Sequence, residues 1–151
     1  MNFMKKIIGL ILLTGLLTAC KDGGNTTPKQ SVKELISQNL WKLDRYAAPT
    51  GEPITNNELE AQALLLYAMH FEFRADGEVR GIDKSSGNII DKGVWQFIDN
   101  ETAVNVQLTG LNYNFRIIDI AAGRLILQAP TGNFLSGLGD QINLEFSSVS
   151  L

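Results

Sequence analysis

From His70 to Phe146 the chain alternates apolar and polar residues with period two. The runs are short and are cut by Gly, Asn, Asp and Ser, a pattern that fits little except antiparallel β-structure with one buried face. In His70-Phe71-Glu72-Phe73-Arg74 the phenylalanines share a face, and Asp76-Gly77 supplies the φ > 0 turn of a tight hairpin into Glu78 to Ile82. Ser85-Ser86-Gly87-Asn88 breaks the chain before a strand from Lys92 to Ile98, with Trp95 and Phe97 in phase. Asp99-Asn100-Glu101 then turns it into Ala103 to Leu108. After Tyr113, Phe115 and Ile117 the parity flips at Ile118 and Ile120, which fits either a β-bulge or a strand buried on both faces. Leu125 and Leu127 follow the turn Ala121-Ala122-Gly123, and Ile142, Leu144 and Phe146 close the series. With an opening strand from Leu40 to Ala47, the fold class is mainly β: about eight antiparallel strands in a meander or closed barrel.

Two helical signals interrupt this pattern. Ser31-Val32-Lys33-Glu34 is a capping box that opens a short N-terminal helix, with Val32, Leu35 and Ile36 on one stripe. A second box, Thr55-Asn56-Asn57-Glu58, precedes a run of strong helix formers. It predicts a helical insertion over residues 56 to 68, between the first two strands, with an early start to the next strand as the rival.

At the amino terminus Lys5 and Lys6 precede the apolar run Ile7 to Leu17, and Leu17-Thr18-Ala19-Cys20 ends it. A positive region, a short apolar core and small residues before a cut describe a secretory signal peptide. The run is well short of the ~20 residues needed to span a bilayer. Cys20 is the only cysteine, and its place makes the segment resemble the lipobox of bacterial lipoproteins. The resemblance implies cleavage after Ala19, acylation of Cys20 and an anchor of two or three chains, which is effectively permanent. The alternatives are a short uncleaved anchor, or an ordinary signal with a chance cysteine. The expected organisation is a leader over 1–19, a lipidated Cys and Gly-rich tether over 20–30, and one domain over 31–151. Lys21-Asp22 partly resembles a surface-export signal in lipoproteins of one Gram-negative phylum, with Gly23 in place of its second acid. The expected location is therefore the outer membrane, facing either the periplasm or the exterior. Losing Lys5 and Lys6 from the 13 basic side chains, against 16 acidic ones, leaves a balance of about −5, with no electrostatic footprint for nucleic acid. With Cys20 acylated, no disulfide is available to the fold.

The folded part, roughly residues 31 to 151, is similar to the lipocalin-like domain of bacterial lipoproteins. The residues that carry the similarity are the capped helix leading into Leu40-Trp41-Lys42-Leu43, the strand and turn Phe71 to Gly77, the strand Lys92 to Phe97, and Leu125-Ile126-Leu127. Lipocalins open their first strand with Gly-x-Trp. Here Asn39 takes the Gly position before Leu40-Trp41, and a Gly-x-Trp occurs mid-chain as Gly93-Val94-Trp95. The resemblance implies a cup that binds a small apolar molecule.

Phe71, Phe73, Trp95, Phe97, Tyr113 and Phe115 occupy inward-capable positions and are the candidate lining of such a cup, or else the packed core of a filled barrel. Ala129 to Gln141 is long for a hairpin loop and carries Phe134, Leu135 and Leu138 where polar residues are usual. Phe134 and Leu135 are candidate gate residues, or part of a plug. Other chemistry is poorly supported. Gly132 and Gly137 have phosphate-loop spacing but are followed by Leu138-Gly139 rather than Lys-Ser/Thr. His70 is the single histidine, too few for a metal site of convergent donors. A Gly-x-Ser-x-Gly elbow is absent, and the pairs Asp76/Glu78 and Asp99/Glu101 border turns where solvated carboxylates are routine. The expected function is non-catalytic and needs no cofactor or metal. It is binding of a small apolar or amphipathic ligand or peptide, or alternatively docking of a packed barrel onto a larger envelope complex.

Overall fold

A computed structural model describes residues 30–132, 134 and 140–149. Eight strands run β1 (Leu40–Ala47), β2 (Met69–Phe73), β3 (Glu78–Asp83), β4 (Ile89–Ile98), β5 (Ala103–Leu108), β6 (Leu111–Ala121), β7 (Arg124–Pro130) and β8 (Gln141–Val149). Each pairs antiparallel with its neighbours in sequence, and β1 pairs with β8 from Leu40↔Val149 to Ala47↔Asn143, so the sheet closes into a barrel with no free edge. The architecture is the one the alternation predicts. Closure also means that every strand pairing lies between Leu40 and Val149, so residues 21–151 contain the whole barrel and fold as a unit.

Short α1 (Val32–Ser37) begins with both halves of its capping box. The Glu34 N–H donates to Ser31 Oγ (3.2 Å), and the Ser31 N–H donates to the Glu34 carboxylate (2.7 Å). Ile36 is fully buried, the Trp41 indole N–H donates to the Ile36 carbonyl (2.8 Å), and the Asn39 side chain donates to the Ala122 carbonyl (2.9 Å). These bonds seat α1 at the end of the barrel where β1 starts and β6 finishes. We call this end the base, and the opposite end, where β1 finishes and β2 starts, the mouth.

The insertion corrects one expectation. A single 3-10 turn (Asn56–Glu58) and α2 (Ala61–Leu66) replace a continuous helix over 56 to 68. Leu59 between them is extended (φ −89°, ψ 141°) and buried, and the Glu60 N–H donates to the Phe134 carbonyl (3.0 Å) instead of to a helical turn. Burying Leu59 and bonding across to Phe134 outweigh local helix propensity. β4 likewise starts at Ile89 rather than Lys92, because a register shift between Gly81 and Ile82 brings Ile89 opposite Ile82. The parity flip in β6 is a bulge, with the shift between Ile117 and Asp119. Gly77 takes φ +91° in the expected hairpin, whereas Asp99, Asn100 and Glu101 all adopt left-handed backbone (φ 52°, 54° and 64°), closed by the Thr102 N–H and hydroxyl donating to the Asp99 carbonyl.

Candidate functional site

The barrel interior is filled by its own side chains. Phe71, Phe73, Trp95 and Phe115 are each at most 4% exposed, while Phe97 and Tyr113 are partly buried against the same core. Edge-on contacts link Phe73 to Trp95 (5.6 Å between centroids), Trp95 to Phe97 (5.2 Å) and Phe71 to Phe146 (5.9 Å). The Trp95 indole N–H is satisfied by the Arg74 carbonyl (2.8 Å). The void remaining among Phe71, Phe73, Val106, Phe115 and Leu127 measures about 20 Å³, room for about one water. In this structure the aromatic ring of candidates packs as a core.

A larger cleft lies at the mouth. Its volume is about 180 Å³, and its walls are Gln62, Leu65 and Leu66 of α2, Met69 at the start of β2, Thr109, Gly110 and Leu111 of the β5–β6 turn, Tyr113 and Phe134. Two of the sequence candidates, Tyr113 and Phe134, therefore meet here, their rings 5.0 Å apart. Leu66 borders both the cleft and the small interior void. Leu135 and Cys20 lie outside the described residues. The lining contributed by α2 and the β5–β6 turn was not picked out from the sequence. The available signal is Leu64-Leu65-Leu66: a six-residue helix cannot bury three consecutive leucines, and Leu65 remains 65% exposed.

Several bonds hold this wall in place. The Tyr46 hydroxyl, deep in the barrel end, donates to the Ala63 carbonyl (2.8 Å), and the Tyr46 ring packs edge-on against Tyr67 (5.5 Å). Burial, and then the neighbouring Tyr67, push the Tyr46 phenol far above its ordinary range, so it stays a neutral donor. At the other end of α2, Lys84 Nζ donates to the Tyr67 carbonyl (2.5 Å). Phe134 is fixed by its own N–H to the Thr131 carbonyl (2.7 Å) and by accepting from Glu60.

His70 sits on β2 opposite Lys42 of β1. Partial burial, followed by the positive charges of Lys84 and Lys42, holds its imidazole below the ordinary value of 6.5. The unfolded chain therefore takes up a proton near pH 6.5 that the folded chain resists, and stability falls as pH drops through that value. Thermal melts should show Tm rising from about pH 5.5 to 7.5, with that component missing in His70→Gln. An identical pH profile in the variant would refute the assignment.

The carboxylate pairs that border turns stay there. Asp76 is exposed and accepts from the Glu78 N–H (3.1 Å), Glu78 pairs with Arg80, and Asp99 and Glu101 are exposed in their turn. Among the described residues, no three His, Cys, Asp or Glu side chains are grouped so as to hold a metal ion. No helix among them is long and apolar enough to cross a membrane.

No protein-family model matches the sequence, and no curated protein matches it. Among solved structures, a lipocalin-like protein from Bacteroides uniformis is similar at a TM-score of 0.46 and 12% identity, covering 74% of this chain and 96% of that one. The barrel assignment rests on the strand pairing within this chain.

Proposed function

We propose that this is a lipid-anchored envelope lipoprotein, acylated on Cys20, that takes up the apolar part of a small amphipathic molecule or peptide at the barrel mouth. The observation that carries it is the apolar mouth cleft of about 180 Å³, set above a filled interior. The volume is below the ~300 Å³ at which drug-sized ligands are enclosed, so the cleft suits one short alkyl chain or one ring. Tyr113, Phe134 and Leu135 then belong to the binding region, and Phe71, Phe73, Trp95, Phe97 and Phe115 form its rigid floor. The chain enters α1 at the base, the end of the barrel opposite the mouth. The finer placement at the outer membrane, on either side, is supported by the partial resemblance of Lys21-Asp22 to a surface-export signal of Gram-negative lipoproteins.

Two measurements test the two halves. Titrating 1-hexanol into residues 21–151 should shift the amide resonances of Leu65, Leu66, Met69 and Leu111 saturably, with Kd on the order of 1 mM, since ~0.8 kcal/mol per buried methylene is offset in part by immobilisation. Unsaturable shifts, or shifts scattered over the barrel wall, would overturn the cleft. The intact mass of the protein from its native envelope should begin at Cys20 and carry acyl groups that Cys20→Ala lacks. An unmodified Cys20 would remove the anchor.

Docking onto a larger envelope complex is the second reading. It is supported by Ile89, Ile90 and Val94 of β4, which are 43%, 57% and 56% exposed. It requires a protein that co-purifies in mild detergent and is released by Val94→Asp.

A further inference from the structure

We infer that the mouth cleft selects a cationic amphiphile, with its short alkyl or aromatic part in the cleft and its positive head drawn to the acidic rim that includes Asp91 and Glu60. The inference rests on the mouth-cleft reading and adds the charge of the ligand. None of the described residues that line the cleft is basic, and its polar members, Gln62 and Thr109, are neutral. Each flank ends in an acid. On one side Glu60 is the exposed N-cap residue of α2, and its N–H is bonded to the carbonyl of Phe134, a lining residue. On the other side the Asp91 carboxylate accepts from the Thr109 N–H (2.9 Å) and the Thr109 hydroxyl (3.0 Å), so it is fixed against another lining residue. Asp91 also sits beside Met69: a Cβ placed on Gly81 would lie 3.5 Å from the Asp91 Cβ and 3.2 Å from the Met69 sulfur. The Asp91 carboxylate also accepts from the Lys92 N–H (2.8 Å), so of its about four acceptor sites three are used and one is left to accept from an ammonium group.

The lysines at this end are directed elsewhere. Lys84 donates to the Tyr67 carbonyl and feels Lys42 and Asp44, which places it over the outer wall of β1 and β2. Lys92 follows Asp91 in β4, opposite Arg80, and so faces outward when Asp91 faces Met69. The loops at the mouth add Glu52 and Asp140, and the end of β3 adds Asp83. A negative rim around a low-dielectric cleft attracts a cationic head and repels an anionic one. The cleft of about 180 Å³ holds about six groups of water size, at ~30 Å³ each, which matches a six-carbon chain.

Three ligands of equal chain length separate the terms: hexylammonium, 1-hexanol and hexanoate, none of which forms micelles at the concentrations needed. At pH 7 and low ionic strength, hexylammonium should saturate the mouth resonances of residues 21–151 at one tenth the concentration hexanoate requires, or less, with 1-hexanol between them. Tenfold corresponds to about 1.4 kcal/mol. The ratio should shrink in 0.5 M NaCl, where the Debye length falls to a few Å. It should approach one in Glu60→Gln with Asp91→Asn and persist in the remote Asp76→Asn. If Asp91→Asn fails to fold, Glu60→Gln, at an exposed position, still reads the ratio. Equal binding of hexylammonium and hexanoate, with 1-hexanol still saturating, overturns cation selection and leaves the cleft standing. No binding by any of the three overturns the cleft, and the inference with it.

Discussion

Gly93→Ala should weaken the barrel sharply, with a loss of about 4 kcal/mol or more. That is a large part of the 5–15 kcal/mol that stabilises a domain of this size. A Cβ at position 93 would lie 1.7 Å from the Gln107 carbonyl oxygen, 2.8 Å from the Gln107 carbonyl carbon and 3.3 Å from the Leu108 Cα. All three are backbone atoms of β5, so no side chain can turn aside to make room. Relief requires β4 and β5 to separate where Val94 pairs with Gln107, and in a closed sheet that opens an edge. Gly87→Ala is the control. Gly87 has φ +71° and nothing within 4 Å of its notional Cβ, so that change meets only the backbone penalty, about 1 kcal/mol. Urea unfolding of the two variants separates steric from conformational cost, and a Gly93→Ala midpoint as close to wild type as that of Gly87→Ala would refute the argument.

Gly93 also marks where sequence reasoning ran out. Alternation located the strands because each has one face against a single core. Leu40–Ala47 and Ala103–Leu108 fall where the pattern puts them, whereas the Ile117/Ile118 parity flip fits a bulge or a strand buried on both faces equally, and the register shift between Ile117 and Asp119 makes it a bulge. Periodicity does not encode how closely two backbones approach, so Gly93-Val94-Trp95 looks like any strand containing a glycine. The insertion departs from its local helix signal for a related reason. Thr55 and Glu58 do bond each other, through the Thr55 N–H (2.8 Å) and hydroxyl (2.6 Å), but whether a helix continues was decided by Leu59 and Glu60 through contacts with residues distant in sequence. The mouth cleft was illegible because its walls come from α2, the β5–β6 turn and Phe134, segments whose proximity only barrel closure creates. Of the six aromatics in phase, the pattern gave the facing direction. Whether they enclose a space depends on summed side-chain volume, which parity does not report.

The second large effect concerns the base. Trp41→Ala should cost about 3–5 kcal/mol, the range for emptying a fully buried Trp site, because Trp41 has no exposed surface and fills the barrel end beneath α1. Trp41→Phe should separate the two roles of this side chain. It keeps most of the apolar volume but leaves the Ile36 carbonyl without the indole N–H that now reaches it at 2.8 Å, at a cost of about 1–3 kcal/mol. Amide exchange in Val32–Ser37 should then speed up more than exchange in β7 or β8, since α1 is held at this end chiefly by Ile36 burial, that bond and the Asn39 bond to Ala122. The Asn39 side chain ties the start of β1 to the β6–β7 turn through the Ala122 carbonyl. Because Phe71, Phe73, Trp95 and Phe115 pack solidly between base and mouth, loosening α1 in Trp41→Phe should leave the 1-hexanol shifts at Leu65 and Leu111 in place. Coupled loss of those shifts would mean that the two ends share one cooperative core. The mouth could then be controlled from the segment that leads back to Cys20.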